Sequence, residues 1–420
     1  MDARLKRNFG RIFLLLLVPL LSTAANKHRA APPSRTQPGA AALQFSERLI
    51  SSDYTYGYGI AAADLDGDGD LDLTSSDCTT MGSRKHNDIY WFENDGKGNF
   101  TRHYLAKDDW YGRYERHQIA DINGDGRPDL VSVDNFFGSV FWFENPGNAK
   151  NGQLWKRHSI QEEGLLGAYD VDVADLDGDG NLDVAASNWR LGNQFVWYEN
   201  PGKTGSRNWE AHVIDDNQAE TRTVCIADFN RDGRPDVLGT VSEAGIVLWY
   251  ENSGQPAART WKRHVIDLTG RPMHGHPVDL DGDGDLDVVM ALGDGAPGGS
   301  AFSHQVVWYE NLGKPGTGAK WEKHTIATEF EQGFEVVAAD LDGDGDLDVV
   351  ATTDDKDGQI VWFENTGDPR SSWLKHSLKR PWMNPFQVIT ADLDRDGKLD
   401  IAAVSSREFR WFRNEGRQKK

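Results

Sequence analysis

The apolar residues of this chain fall in short runs rich in β-branched side chains, such as Val336-Val337-Ala338-Ala339 and Leu347-Asp348-Val349-Val350-Ala351. Runs of this kind, bounded by glycine and aspartate, predict β-strands. Between the two lies Asp340-Leu341-Asp342-Gly343-Asp344-Gly345-Asp346-Leu347-Asp348, so the unit reads as two strands of a hairpin joined by an acidic loop.

The nine-residue loop recurs, opening at Asp64, Asp121, Asp175, Asp228, Asp279, Asp340 and Asp392, with starts 57, 54, 53, 51, 61 and 52 residues apart. Oxygen-bearing side chains fill positions 1, 3, 5 and 9 of every copy. They are Asp64, Asp66, Asp68 and Asp72 in the first, Asp121, Asn123, Asp125 and Asp129 in the second, and Asp175, Asp177, Asp179 and Asp183 in the third. The fourth and fifth hold Asp228, Asn230, Asp232 and Asp236, then Asp279, Asp281, Asp283 and Asp287. The last two hold Asp340, Asp342, Asp344 and Asp348, then Asp392, Asp394, Asp396 and Asp400. Position 7 (Asp70, Arg127, Asn181, Arg234, Asp285, Asp346 or Lys398) can add its backbone carbonyl. A hard cation takes six to eight oxygens at about 2.3–2.6 Å, and alternate residues of one tight loop can supply them, which points to Ca2+ in up to seven sites. Glycine at position 6, as in Gly345, permits the turn at positive φ. One such loop alone reads as an acidic solvated turn; seven in register argue for metal. An EF-hand begins alike but needs flanking helices and a Glu at position 12, where this chain has Ser75, Ser132, Ala186, Gly239, Met290, Ala351 and Ala403.

Two further signals share the period. A strand ending in Trp-aromatic-Glu-Asn follows each loop, from Trp91-Phe92-Glu93-Asn94 to Trp362-Phe363-Glu364-Asn365, with Trp411-Phe412-Arg413-Asn414 as the last copy. After a glycine-marked turn comes a strand with an aromatic residue, then histidine, then an aliphatic residue, as in Trp155, His158 and Ile160. Its histidines (His103, His158, His212, His264, His324 and His376) occupy one position and read as structural hydrogen-bonding groups. Four strands in a unit of about 50 residues make a propeller blade, so the expected fold is an all-β, seven-bladed propeller over 43–414. The last repeat lacks its fourth strand. The stretch Phe45 to Ile50 matches that strand with Arg48 in the histidine position, and is expected to complete the last blade and shut the ring.

Ahead of it, Lys6, Arg7 and Arg11 precede an apolar run from Ile12 to Leu21 and small residues to Ala25. That is the layout of a secretory signal peptide (1–25), too short to span a bilayer; 26–42 reads as a disordered leader and 415–420 as a tail. The expected location is secreted or periplasmic. The formal charge is −21; four basic residues against Asp2 make the signal region +3, so the remainder carries about −24, which seven divalent ions would reduce to about −10. Such acidity argues against nucleic acid or anionic lipid as partner. Cys78 and Cys225, in different repeats, read as two unpaired thiols.

The Ala-Asp-Leu-Asp-Gly-Asp-Gly-Asp-Leu-Asp loops followed by an aliphatic strand resemble the FG-GAP/VCBS repeats of bacterial secreted proteins and, more distantly, the calcium loops of integrin α-subunit propellers. The Trp-Tyr-Glu-Asn and Trp…His…Ile elements are similar to the propeller of a fungal sugar dehydratase, aldos-2-ulose dehydratase. The resemblance implies a calcium-binding propeller and leaves function open between adhesins, sugar binders and carbohydrate-active enzymes.

Polar residues that break the repeat mark where function would sit. Those five places before each loop are Gly59, Arg116, Asp170, Thr223, His274, Glu335 and Gln387, expected to ring the channel mouth opposite the loops. Catalytic candidates are His274, His276, Arg116, Arg222 and Glu335; ligand-binding candidates are Asp170, Asp172, Tyr169, His117, Trp189 and His304. The long connections 75–88 and 292–305 reach the same face with Arg84, Lys85, His86 and Asp294. Export, calcium and the lack of a Gly-x-Ser-x-Gly motif favour a module that binds glycan or extracellular protein. The alternative is a polysaccharide lyase or sugar dehydratase, in which His or Tyr abstracts a proton while Arg stabilises the enolate.

Overall fold

Each acidic loop joins two antiparallel strands, as between Gly57–Ala63 and Asp72–Asp77, where Ala63 pairs with Asp72. The computed structural model describes residues 43–78, 87–108, 112–190, 192–202, 208–293, 304–313 and 316–417. The expected signal peptide and leader, and Arg84, Lys85, His86 and Asp294, lie outside the described residues. Every repeat forms a four-stranded antiparallel sheet, and seven such sheets make the propeller. The innermost strands run Gly57–Ala63, Tyr114–Ala120, Ala168–Ala174, Thr221–Ala227, Arg271–Val278, Gly333–Ala339 and Pro385–Ala391.

The apolar faces of neighbouring blades meet, which is why each repeat needs the next. Trp197, Trp249, Trp308, Trp362 and Trp411 are fully buried there, together with Trp91 of the first blade. Burying an indole removes on the order of 200 Å2 from water, worth about 5 kcal/mol at 25 cal/mol/Å2. In six blades the outer-strand histidine stacks on this ring, with centroids 4.2–4.6 Å apart, for example Trp142 on His158 and Trp249 on His264. Its Nε2 meets the glutamate of the Trp-aromatic-Glu-Asn run, at 2.7 Å for His158 and Glu144. The histidines are structural, as their common position suggests.

The asparagine of that run ties blade to blade. Asn145 Nδ2 donates to Pro128 O of its own loop at 3.0 Å and to Leu65 O of the preceding blade at 2.9 Å. Asn94, Asn200, Asn252, Asn311 and Asn414 bridge in the same way.

The ring closes as expected. Leu43–Ser51 pairs with Phe409–Arg417, and Arg48 stands opposite Trp411. The final strand continues three residues beyond Asn414, into the expected tail, because Arg417 is held by Asp342 and Glu364 of the sixth blade. Cys78 and Cys225 are free and buried.

Candidate functional site

An inner strand has a partner on one side only, so its axial edge must find hydrogen bonds elsewhere. Side chains from the preceding blade provide them. Asp170 Oδ2 accepts from Val224 N at 3.2 Å, Asp172 Oδ2 from Ile226 N at 2.7 Å, and Gln387 Oε1 from Ile60 N at 2.9 Å. Thr223 Oγ1 donates to Met273 O at 2.9 Å. This is one reason for polar residues five places before a loop.

The second reason is an ion network across the axis. Arg116 of the second blade donates to Asp170 of the third at 2.9 Å and reaches Glu335 of the sixth, at 2.5 and 3.2 Å to its two oxygens. His276 Nε2 lies 2.7 Å from the same carboxylate. Burial works against the Glu335 charge, but Arg116 and His276 outweigh it and hold the carboxyl well below the usual range. His274 packs beside this network, with Nε2 3.1 Å from the Tyr169 hydroxyl and Nδ1 3.2 Å from Thr223 Oγ1. Arg222 Nη1 donates to the same hydroxyl at 3.3 Å. Burial, reinforced by Arg116, keeps His274 neutral, with its pKa far below the ordinary value.

These residues therefore come together, but not around an open mouth. One place further from the loops, Tyr58, Tyr169, Met273, Phe334 and Phe386 close over them in an apolar cluster that also takes in Cys78. Arg116, Arg222, His274 and Glu335 are buried beneath or within that cap, and only His276, with 32% of its side chain exposed, reaches solvent. The expected rim is an interior layer, because aromatic residues at the ends of four inner strands fill the axis above it.

His117 is buried as well, Nε2 2.8 Å from Thr74 Oγ1, and burial together with Arg116 pushes its pKa down to about 3. Gly59 makes the space: a Cβ there would lie 2.7 Å from His117 Nδ1. His304 sits where the chain enters the third strand of the fifth blade, its backbone bonded to Leu292 and Phe330. Trp189 packs on the outside of the aromatic cap, 5.5 Å from Tyr169, with the guanidinium groups of Arg190 and Arg222 3.9 and 4.5 Å from its ring centre. Arg190 adopts φ 65°, a left-handed conformation unusual for a side-chain-bearing residue.

The acidic loops suit a hard cation. In three of them one oxygen each from positions 1, 3 and 9 (Asp64, Asp66, Asp72; Asp175, Asp177, Asp183; Asp279, Asp281, Asp287) lie within 4.8 Å of one another, a spacing that a single ion at about 2.4 Å would span. Asp70 Oδ1 and Asp394 Oδ1 are buried without a hydrogen-bond donor. Burial first, and then neighbouring carboxylates, push Asp344 up to about 6, a cost that a cation relieves. Position 9 has a duty that spacing did not reveal. Asp72 accepts from Leu65 N at 3.0 Å and from Asn94 N at 2.8 Å, and all seven copies clamp their loop to the Trp-aromatic-Glu-Asn run in this way.

Cations from neighbouring blades also escaped the sequence reading. Lys150 reaches Asp66 at 2.7 Å and Glu93 at 3.0 Å in the preceding blade; Arg370 bridges Asp281 and Glu310, and Arg417 bridges Asp342 and Glu364. The available signal was a basic residue six places after the glutamate, shared by Lys150 and Arg370.

The FG-GAP-like repeat model matches residues 78–132, 121–186, 228–290, 296–351 and 340–403. The chain belongs to the FG-GAP-like repeat family. No curated protein matches it. Among solved structures, this FG-GAP propeller is similar to an Agrocybe aegerita lectin described as recognising non-reducing terminal N-acetylglucosamine. The TM-score is 0.51 at 18% identity, over 80% of this chain and 82% of the lectin. It is also similar to BBS1N, solved in complex with ARL6DN, with TM-score 0.53 at 8% identity over 91% of this chain and 100% of that one. At these identities the likeness is one of fold.

Proposed function

We propose that this protein is an exported, calcium-loaded propeller that binds glycan through the face opposite its acidic loops. The observation that carries the reading is the Trp189 platform. Its indole is only partly buried, flanked by two guanidinium groups, and continuous with an apolar surface. Trp189 N bonds Gly167 O, Gly167 N bonds Asn135 O, and these two loops present Phe136, Phe137 and Leu166, which are 62, 43 and 49% exposed. A sugar stacks its C–H face on an exposed aromatic ring and takes hydrogen bonds from an exposed arginine; Phe136, Phe137 and Arg190 offer these two parts, while the buried Arg222 only backs the Trp189 indole. A lectin among the structures of the same fold supports that choice of ligand.

Proton abstraction by the Arg116, Arg222, His274, His276 and Glu335 set has less support, since four of the five are buried and bonded within the channel. Calcium would be held by positions 1, 3, 5 and 9 with the position 7 carbonyl, and would supply loop rigidity and charge neutralisation. Export rests on the sequence of residues 1–25.

A glycan array tests the reading, with N-acetylglucosamine-terminated probes included and calcium present. Binding that falls at least tenfold in Trp189→Ala, with the melting temperature kept, supports it. No glycan bound by the native chain, or equal binding by the variant, would overturn it.

A further inference from the structure

One solvent-facing part of the channel carries chemistry that neither the loops nor the Trp189 surface uses. On the loop side of Arg116, three places before each loop, consecutive inner strands present Asp172, Cys225 and His276, where the next three blades have Val337, Ile389 and Ala61. Cys225 Sγ lies 3.8 Å from His276 Nδ1. The other ring nitrogen, Nε2, is 2.7 Å from Glu335 Oε1.

Glu335 is a constant acceptor, because Arg116 grips both its oxygens inside the protein. A carboxylate in that place takes the imidazole N–H, which puts the proton on Nε2 and leaves the Nδ1 lone pair toward Cys225. Carboxylate behind, imidazole between and an open nitrogen in front is how proteins orient a metal-ligating histidine. His276 Nδ1 has no hydrogen-bond partner other than Cys225 among the described residues. Asp172 adds a carboxylate from the adjoining strand, where its Oδ2 accepts from the N–H of Ile226, the residue next to Cys225, at 2.7 Å.

We propose that Cys225 Sγ and His276 Nδ1, with Asp172, bind one borderline divalent ion of the Zn2+ class. Sulfur and nitrogen donors separate this site from the all-oxygen loops, which suit calcium. The solvent-exposed side of His276 leaves room for a water or ligand in the remaining position. On binding, the Cys225 thiol proton passes to solvent and the thiolate takes the metal. Without a metal the Cys225 S–H lies between two acceptors, Gly275 O at 3.6 Å and His276 Nδ1 at 3.8 Å, and the experiment distinguishes this ordinary hydrogen bonding from metal ligation.

The calcium-saturated full chain is titrated with Co2+, which reports a thiolate ligand by a sulfur-to-metal charge-transfer band. One equivalent is expected, displaced by Zn2+, with the band absent in Cys225→Ser and affinity at least tenfold lower in His276→Gln. In parallel, Zn2+ should slow the iodoacetamide labelling of Cys225 in the native protein, where it is 8% exposed beside the solvent-facing side of His276, with Cys78, at 0%, as the unlabelled control. No charge-transfer band, a band that survives Cys225→Ser, or affinity unchanged in His276→Gln would each overturn the proposal. Should a variant fail to fold, labelling of the native chain decides, and an unprotected Cys225 overturns it.

Discussion

Arg48 lies over the indole of Trp411, 4.7 Å from the ring centre, in the place that a histidine takes in the other six blades. The strand that carries it comes from the start of the fold, so this contact is part of what shuts the ring. Arg48→Ala should cost about 1 kcal/mol, the usual worth of a cation over an aromatic face. Deleting 43–50 removes a whole strand and exposes the edge of Phe409–Arg417, so cooperative unfolding should be lost. Deleting 26–41 should leave the melting curve unchanged. Equal melting of the two truncations would refute this account of closure.

The Asn145 bridge predicts a graded effect. In Asn145→Ala the carbonyls of Leu65 and Pro128 both lose their donor inside the protein, at about 1–3 kcal/mol each. Asn365 donates to one carbonyl, Leu347 O, at 3.2 Å. Asn365→Ala should therefore cost about half as much by urea denaturation. A larger loss at Asn365 would mean that the interblade bond is not the source of the effect.

The number of blades was legible because each carries its own aspartate ladder, and the closing strand because Arg48 keeps the offset of the missing histidine. Burial of the candidate channel residues was not legible. A polar residue on an inner strand looks the same in sequence whether it faces water or Arg116, and the difference lies in how far Tyr58, Tyr169, Phe334 and Phe386 reach across the axis. The distant pairing of Arg116 with Glu335, 219 residues apart, leaves no spacing signature either. Lys150 also pairs across repeats, with Asp66 and Glu93, but it left a spacing signal, the six-residue offset from the glutamate that it shares with Arg370.

His117 gives a pH dependence with a definite sign. Its pKa is near 3 in the folded chain and about 6.5 when unfolded, so the unfolded state binds the extra proton as pH falls between these values. Stability from keeping it neutral is complete above 6.5 and declines toward pH 3, at up to about 1.4 kcal/mol per pH unit. His117→Gln removes the proton site, so in saturating calcium its stability should fall less steeply between pH 6 and 4 than that of the native chain. Parallel curves would show that His117 does not titrate on unfolding.

If the acidic loops hold calcium, as we propose, they should do so unequally. Four position 3 carboxylates are already paired with a cation: Asp66 with Lys150, Asp281 with Arg370, Asp342 with Arg417 and Asp394 with Arg413. The second and fourth loops carry Arg127 and Arg234 at position 7, each paired with the loop's own position 5 carboxylate. The third loop has no such partner among the described residues. Ala257 occupies the offset at which Lys150 and Arg370 stand, and Asp177 is exposed. A divalent ion there displaces no resident charge, so Asp175, Asp177, Asp179 and Asp183 should form the tightest site. Calorimetric titration of the chelated protein should show a tight class that Asp177→Asn removes and Asp66→Asn leaves in place, while Lys150→Ala tightens the first loop. Calcium at about 100 times the dissociation constant of a site should stabilise the fold by about 2.7 kcal/mol per site, so excess EDTA should lower the melting temperature. Loss of the tight class in Asp66→Asn but not in Asp177→Asn would reverse the order, and would mean that the cations of neighbouring blades assemble the sites rather than compete for them.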